Sequence, residues 1–316
     1  MIVTVTPNPS IDRTVALPGP LTRGAVHRVA SHVDEPGGKG VNISRACLAA
    51  GVPTLAVLPA VSGDGFVRDL ERLGVPCLVV PHAGSMRVNL TISEPDGTTT
   101  KLNAFGADTS PDELEALADA VLARPAGGWA VLAGSLPPGA PDDWYAGLAS
   151  RLRSAGWAVA VDTSGAALDA VVAALTPAAA PSLIKPNAEE LASVTGEDPA
   201  KLEADPRLTA VAAQSLVDRG AGAVLATLGP GGAVLVDGSG AWHAQPPATR
   251  VVSTVGAGDA SMFGYLHADL LGLPAPERLA SAVAYGSAAA GLPGTTVPTP
   301  DDVRVADVLV RQLDPV

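Results

Sequence analysis

The densest chemistry in the chain lies in Ser253-Thr-Val-Gly-Ala-Gly-Asp259. Arg250–Thr254 is β-branched and strand-like, whereas Met262, Phe263, Leu266 and Leu270 fall at helical spacing. This puts Gly256, Ala257 and Gly258 in a strand-to-helix turn and Asp259 in the first turn of the helix. Small residues there let a ligand approach the backbone, and free N–H groups with the helix dipole favour an anion. A carboxylate beside such a turn suits a general base that removes a hydroxyl proton during phosphoryl transfer. The plainer alternative is an acid that only stabilises the helix start.

A second cluster, Glu35-Pro-Gly-Gly-Lys39-Gly-Val-Asn42, leads into a helical run. Its glycines imply close backbone packing, and Lys39 and Asn42 can hydrogen-bond sugar hydroxyls. Lys39 is followed by Gly rather than Ser or Thr, and the GxxxxGK spacing is not met, so this is not a Walker A loop. Alone, it also reads as an ordinary glycine-rich loop. Thr6-Pro-Asn-Pro-Ser-Ile-Asp12 ends in an acid able to accept hydrogen bonds from two hydroxyls. In Met86-Arg87-Val-Asn89 the guanidinium fork suits a phosphate. Gly134-Ser-Leu-Pro-Pro-Gly139 offers Ser135 and backbone donors. A solvated turn, an exposed strand charge and a Pro-rich loop are the respective alternatives.

In Lys185-Pro-Asn187-Ala-Glu-Glu190, Asn187 and Glu190 are three apart at a helix start and share a face. An amide and a carboxylate so placed can hold hydrated Mg²⁺ beside nucleotide phosphates. They equally form a capping box. Thr227-Leu-Gly229-Pro-Gly231-Gly closes one strand and opens another, and can line a nucleotide groove. Neither it nor the Gly256 turn completes a GxGxxG fingerprint, which disfavours a dinucleotide enzyme. Histidines 27, 32, 82, 243 and 267 lack zinc-ligand spacing.

These motifs sit among apolar runs that alternate with helical patterns. Strands are expected at Ile2–Thr6, Thr54–Ala60, Trp129–Ala133, Ala158–Asp162, Leu183–Lys185 and Ala223–Leu228. Helices are expected at Val41–Ala50, Gly65–Leu73, Pro111–Ala123, Asp142–Ala155, Ala188–Val194 and Arg207–Arg219. Such alternation predicts an α/β fold with a doubly wound, mostly parallel sheet and ligands at the carboxyl ends of its strands. Arg13–Val33 and Arg87–Asn103 break the rhythm and read as a small β-sheet lid, with a hairpin around Pro95-Asp96-Gly97.

Composition agrees with a packed, soluble globular protein. Of 316 residues, 47% are hydrophobic and 16% charged. A net charge of −12 opposes binding to nucleic acid and requires that any anionic ligand meet a local cluster of cations. Cys47 and Cys77 form neither a disulfide framework nor a metal motif. The opening MIVTVTPNPS has no basic n-region, and charges or Pro and Gly interrupt each apolar run, so no membrane segment and a cytoplasmic location are expected. Only five asparagines (8, 42, 89, 103 and 187) and four lysines occur, nearly all within these segments. A chain that avoids amides keeps them where a two-faced hydrogen-bonding group is needed.

Taken together and in this order, TPNPSID, PGGKGVN, GSLPPG, KPNAEEL and STVGAGD resemble the ribokinase-like sugar kinase family, in its phosphosugar branch. The resemblance spans residues 2 to about 297. It implies a single kinase domain over 1–316, a lid formed by about 12–34 and 87–103, and often a homodimer joined through the lids. By resemblance, Asp259 is the catalytic base and the Gly256-Ala257-Gly258-Asp259 backbone is an anion hole. Asp12, Gly38, Lys39 and Asn42 correspond to sugar-binding positions. Arg87, with Asn89 and Ser135 nearby and Arg28 assisting, corresponds to the group that receives the substrate's own phosphate. Lys185, Asn187, Thr227, Gly229, Gly231 and Ser253 fall on the nucleotide side, Ser287 near the adenine, and Glu190 in a magnesium-associated pattern. Lys101-Leu-Asn103-Ala-Phe-Gly106 departs from the family, which commonly has an acidic or neutral residue and a proline before the glycine.

The resemblance therefore implies ATP- and Mg²⁺-dependent phosphorylation of a ketohexose monophosphate, foremost fructose 1-phosphate at its 6-hydroxyl. Tagatose 6-phosphate and fructose 6-phosphate are the rival substrates. A sugar-phosphate sensor without turnover is the rival outside enzymes, and an intact Asp259 argues against it because a sensor needs no base.

Overall fold

Side chains of the central strands alternate between two apolar layers, as a sheet covered on both faces requires. The structure, a computed structural model, describes residues 1–314. Strands β1 (Ile2–Val5), β2 (Ser10–Ala16) and β3 (Ser31–Gly37) lead into helix α1 (Lys39–Ala49). Next come β4 (Thr54–Ala60), α2 (Gly65–Arg72), β5 (Cys77–Pro81), β6 (Arg87–Ser93) and β7 (Thr99–Leu102). Then α3 (Pro111–Leu122), β8 (Trp129–Ala133), α4 (Trp144–Ser154), β9 (Ala158–Asp162), α5 (Ala166–Ala173) and β10 (Leu183–Ile184) alternate. Helices α6 (Ala188–Thr195), α7 (Pro199–Ala204) and α8 (Pro206–Asp218) precede β11 (Ala223–Thr227), β12 (Ala233–Asp237) and β13 (Gly240–Gln245). Helices α9 (Ala257–Leu270) and α10 (Ala275–Ala290) and strand β14 (Leu309–Gln312) follow.

The main sheet has ten strands in the order β14-β13-β12-β11-β10-β9-β8-β1-β4-β5. From β11 to β5 all neighbours are parallel, and β12, β13 and β14 extend the sheet antiparallel. The winding reverses between β1 and β8, so the carboxyl ends of these strands flank the crevice where doubly wound proteins bind ligands. Trp129, Val131 and Ala133 of β8 pack with Ile43 of α1 and Met262 and Phe263 of α9. Ala130 and Leu132 face the other way, onto Leu117 of α3 and Leu148 of α4.

Local chemistry sets the helix starts. Ser110 and Glu113 form a reciprocal capping box at α3, with Pro111 at the first helical position. Gly256 opens α9 at φ 78, a left-handed conformation that costs a glycine little.

The second sheet has four strands in the order β3-β2-β6-β7 and stands on the β1 side of the crevice. Its strand β2 pairs with β6 in parallel, which sets Asp12 opposite Asn89, and β6 and β7 form a hairpin. Residues 18–30 are a mostly exposed loop joining β2 to β3, with Leu17 buried at its start.

One expected strand is absent. Arg250–Thr254 is loop, and Val251 and Val252 are exposed. No strand lies beside it; instead the Val252 and Ser253 N–H groups donate to Ala290 O at the end of α10 (2.8 and 3.2 Å). The turn before α9 is thus hung from a helix end.

Candidate active site

The crevice is built from the carboxyl ends of five strands. Asp162 is the last residue of β9, Lys185 follows β10 and Thr227 ends β11; Thr6 follows β1 and Gly134 follows β8. Across from them stand the first turns of α1, carrying Lys39 and Asn42, and of α9, carrying Asp259. The adjoining groove has a volume of about 750 Å³ and is lined by Lys39, Asp162, Lys185 and Asp259 among others.

Asp162 organises the floor. It is 1% exposed and holds Lys39 Nζ on Oδ1 at 2.5 Å and Lys185 Nζ on Oδ2 at 2.9 Å. Burial opposes its charge, but the two lysines prevail and keep its pKa below the ordinary value. Burial likewise works against the Lys39 ammonium, yet Asp162, Asp259 and Glu190 raise its pKa. Asp259 is 8% exposed. Burial first, and then the Asp162 charge, push its pKa up to about 6, against the pull of Lys39, an Asn42 hydrogen bond and Lys185. A carboxyl so poised is charged at neutral pH and able to take a proton.

The amides at the start of α9 are free. The first intrahelical bond runs from Ala260 N–H to Gly256 O at 2.9 Å, so the N–H groups of Ala257, Gly258 and Asp259 precede it. A Cβ on Gly258 would come within 3.4 Å of Lys185 Nζ. The ammonium and the helix N-terminus therefore converge on one point suited to an anion.

At the lid base, Asp12 Oδ1 accepts from Ser10 Oγ at 2.8 Å and from Asn89 Nδ2 at 3.1 Å. Burial raises the Asp12 pKa. Gly37 lies against the Asp12 carboxylate, which a Cβ there would displace. Gly38, at φ 111, turns the chain into α1 against Thr6 and Pro9. Arg87 spreads its guanidinium over three carbonyls: Asn8 O at 2.8 Å, Ala104 O at 2.9 Å and Pro9 O at 3.3 Å. Ser135 is exposed and lies 3.4 Å from Asn8 Nδ2.

At the start of α6, Asn187 Oδ1 accepts from Glu190 N–H and Glu190 Oε2 accepts from Asn187 N–H, each at 2.8 Å. The capping box is therefore formed, while both residues still line the groove. Glu190 keeps Oε1 without a protein partner among the described residues. Thr227, Gly229 and Ser287 line the same groove, and Ser287 Oγ lies 2.6 Å from Thr249 Oγ1.

Three positions are placed otherwise. Ser253 Oγ donates to Gly294 O at 3.1 Å, and the neighbouring Thr254 lines the groove. Gly231 turns its carbonyl toward buried His243 (2.9 Å), while Gly229, Pro230 and Gly232 face the groove. Arg28 is exposed in the 18–30 loop.

Two contributors were not anticipated as site residues. Asp162 has one sequence signal, an acid ending an otherwise apolar strand. Asn8 stood out only as a scarce amide; its Nδ2 donates to Phe105 O at 2.8 Å and Leu136 O at 3.3 Å, tying three loops together. Gly106, at φ 104, abuts the Asn8 side chain so closely that a Cβ would collide with it.

A doubly wound sheet covered by helices on both faces, with a buried acid beside the free amides of a helix start and two lysines across from it, is the framework of a phosphotransferase. The chain belongs to the pfkB family of carbohydrate kinases, which it matches over residues 6–302. It is 39% identical to 1-phosphofructokinase of Rhodobacter capsulatus, covering 100% of this chain and 99% of that protein. It is 34% identical to the ATP-dependent 6-phosphofructokinase isozyme 2 of Escherichia coli, covering 96% of each. Phosphofructokinase-2 from Escherichia coli in complex with substrates and products superposes with a TM-score of 0.87 at 32% identity, over 95% of this chain and 96% of that one.

Proposed function

We propose that the protein transfers the γ-phosphoryl group of ATP to the 6-hydroxyl of D-fructose 1-phosphate, forming fructose 1,6-bisphosphate. The observation that carries this reading is the buried Asp259 beside the open amides of α9 and the Lys185 ammonium. Greater identity to a 1-phosphofructokinase than to a 6-phosphofructokinase favours fructose 1-phosphate.

In this reading the substrate's ring hydroxyls meet Asp12, Gly38 and Lys39. Arg87, with Asn89 and Ser135, takes the 1-phosphate, and Arg28 assists from the loop. Asp259 removes the 6-hydroxyl proton as that oxygen attacks the γ-phosphorus and the bond to the ADP oxygen breaks. The amides of Gly256 to Asp259 and Lys185 receive the transferring group as its charge spreads. Asn187, Thr227, Gly229 and Ser287 line the nucleotide side, and Gly231 and Ser253 support it from behind through His243 and Gly294. Glu190 fits Mg²⁺ held largely through water, since Oε1 is free of protein partners. Held there by Glu190, such an ion would supply positive charge to offset that on the phosphates.

The same proposal makes the protein a cytoplasmic homodimer joined through its lids. Both edges of the four-stranded sheet, β3 and β7, are unpaired. Val33 and Leu102 are exposed there at 57 and 55%, and Phe105, in the loop after β7, at 88%. An open edge with apolar side chains is a surface a second copy would cover.

The test is ADP release with ATP and each of fructose 1-phosphate, tagatose 6-phosphate and fructose 6-phosphate. The highest kcat/KM is expected with fructose 1-phosphate. Preference for another phosphate replaces the substrate, and no turnover with any of them favours a sensor.

A further inference from the structure

Lys39 and Asn42 are three residues apart in the first turn of α1 and so share one face of it. Each reaches a different buried acid: Lys39 takes Asp162, and Asn42 Nδ2 donates to Asp259 Oδ2 at 2.9 Å. Asn42 is 6% exposed, and its other amide atom, Oδ1, is buried without a hydrogen-bond partner. A half-satisfied buried amide is a costly choice for a helix position that any small apolar residue would fill. Its one bond to the protein through the side chain goes to the base.

We infer that Asn42 is a positioning residue for the phosphoryl-transfer base, holding Asp259 Oδ2 so that Oδ1 is the oxygen offered to the substrate hydroxyl. This rests on the kinase reading given above, and it differs from the direct sugar contact implied by the family resemblance. Asp259 Oδ1 has no hydrogen-bond partner among the described residues, whereas Oδ2 is fixed by the amide. A planar carboxylate pinned at one oxygen has its other oxygen fixed in direction, which is the pre-alignment that proton transfer exploits. The amide N–H also favours the ionised form, the form a base needs. The bond outlives the transfer, since the proton arrives on Oδ1 and Oδ2 remains an acceptor. The charged groups facing Asp259 are Lys39 from α1, Asp162 from β9 and Lys185 after β10, and Asn42 is the neutral donor among them.

The experiment compares Asn42→Ala and the isosteric Asn42→Asp with the wild type in kcat, KM for fructose 1-phosphate and the pH profile of kcat. In parallel, the Asp259 carboxyl is titrated by ¹³C NMR and assigned by its absence in Asp259→Asn. Ser44→Ala, which removes a different buried hydrogen bond of α1, is the structural control. Expected for Asn42→Ala is a fall in kcat of about tenfold or more near pH 7, with KM changed by less than about twofold. The acidic limb and the Asp259 titration should both move to higher pH, further still in Asn42→Asp, where a second carboxylate adds repulsion. Ser44→Ala should leave both in place. A raised KM with kcat, limb and titration unmoved would show a sugar contact and overturn the inference. If the wild type turns over no ketohexose phosphate, the function falls; the titration still decides whether Asn42 governs Asp259, and an unmoved value in both variants refutes it.

Discussion

Lys39 Nζ lies 2.5 Å from Asp162 Oδ1, a contact between residues 123 positions apart that joins the start of α1 to the end of β9. The second carboxylate oxygen holds Lys185, so one buried acid fixes two cations at the floor of the groove. The Asp162 pKa is held below its ordinary 3.8. Its stabilisation is therefore in force above that pH and fades as pH falls through the lower folded value. Asp162→Asn strands Lys185, which is 4% exposed. Unfolding in denaturant should show a loss of about 3–5 kcal/mol, as for removal of one partner of a buried pair. Nucleotide affinity should fall with it. An unchanged midpoint and unchanged ATP KM would rule out this organising role.

Arg87 donates to Asn8, Pro9 and Ala104 carbonyls and thereby joins the two strands' worth of chain that enter and leave the lid. Its place beside Asp12 and Asn89 fits phosphate recognition. Arg87→Ala should raise the KM for the phosphosugar by about tenfold or more with little effect on ATP, and Arg87→Lys should not restore it, because an ammonium lacks the planar fork. Steady-state kinetics in both substrates decide; equal changes in the two KM values would contradict phosphate recognition.

The exposed β3 and β7 edges lead to an expectation about assembly. Sedimentation at micromolar concentration should give a dimer, and Phe105→Ser combined with Leu102→Lys should give a monomer, since each removes apolar area from an uncovered edge. A monomeric wild type would end the lid-dimer reading.

Much of this architecture was legible in local pattern. Thr54–Ala60, Trp129–Ala133 and Ala158–Asp162 appear as strands with the expected bounds, because buried parallel strands read as short apolar runs. The Gly256–Asp259 turn and the Asn187–Glu190 pair were visible for the same reason, since their roles depend on near neighbours. Asp162 was not, because its partners Lys39 and Lys185 meet it only after the sheet is assembled. Arg250–Thr254 misled because β-branched residues promise a strand, yet no strand edge is free beside them. Gly106 shows a third kind of limit: it is needed by contact with Asn8, a residue that sits 98 positions away in sequence.

The central claim is that Asp259 is the base, and Asp259→Asn tests it most directly. Burial raises its pKa from 3.8 to about 6, so the folded state holds the proton more tightly and loses stability as pH rises between those values. The ionised carboxylate thus costs the fold up to about 3 kcal/mol at neutral pH. Asp259→Asn should consequently melt higher than the wild type at pH 8. The deciding measurement is kcat with ATP and fructose 1-phosphate at that pH. A fall of about 10²–10⁴ with both substrates still bound is expected; turnover near that of the wild type would contradict the assignment outright.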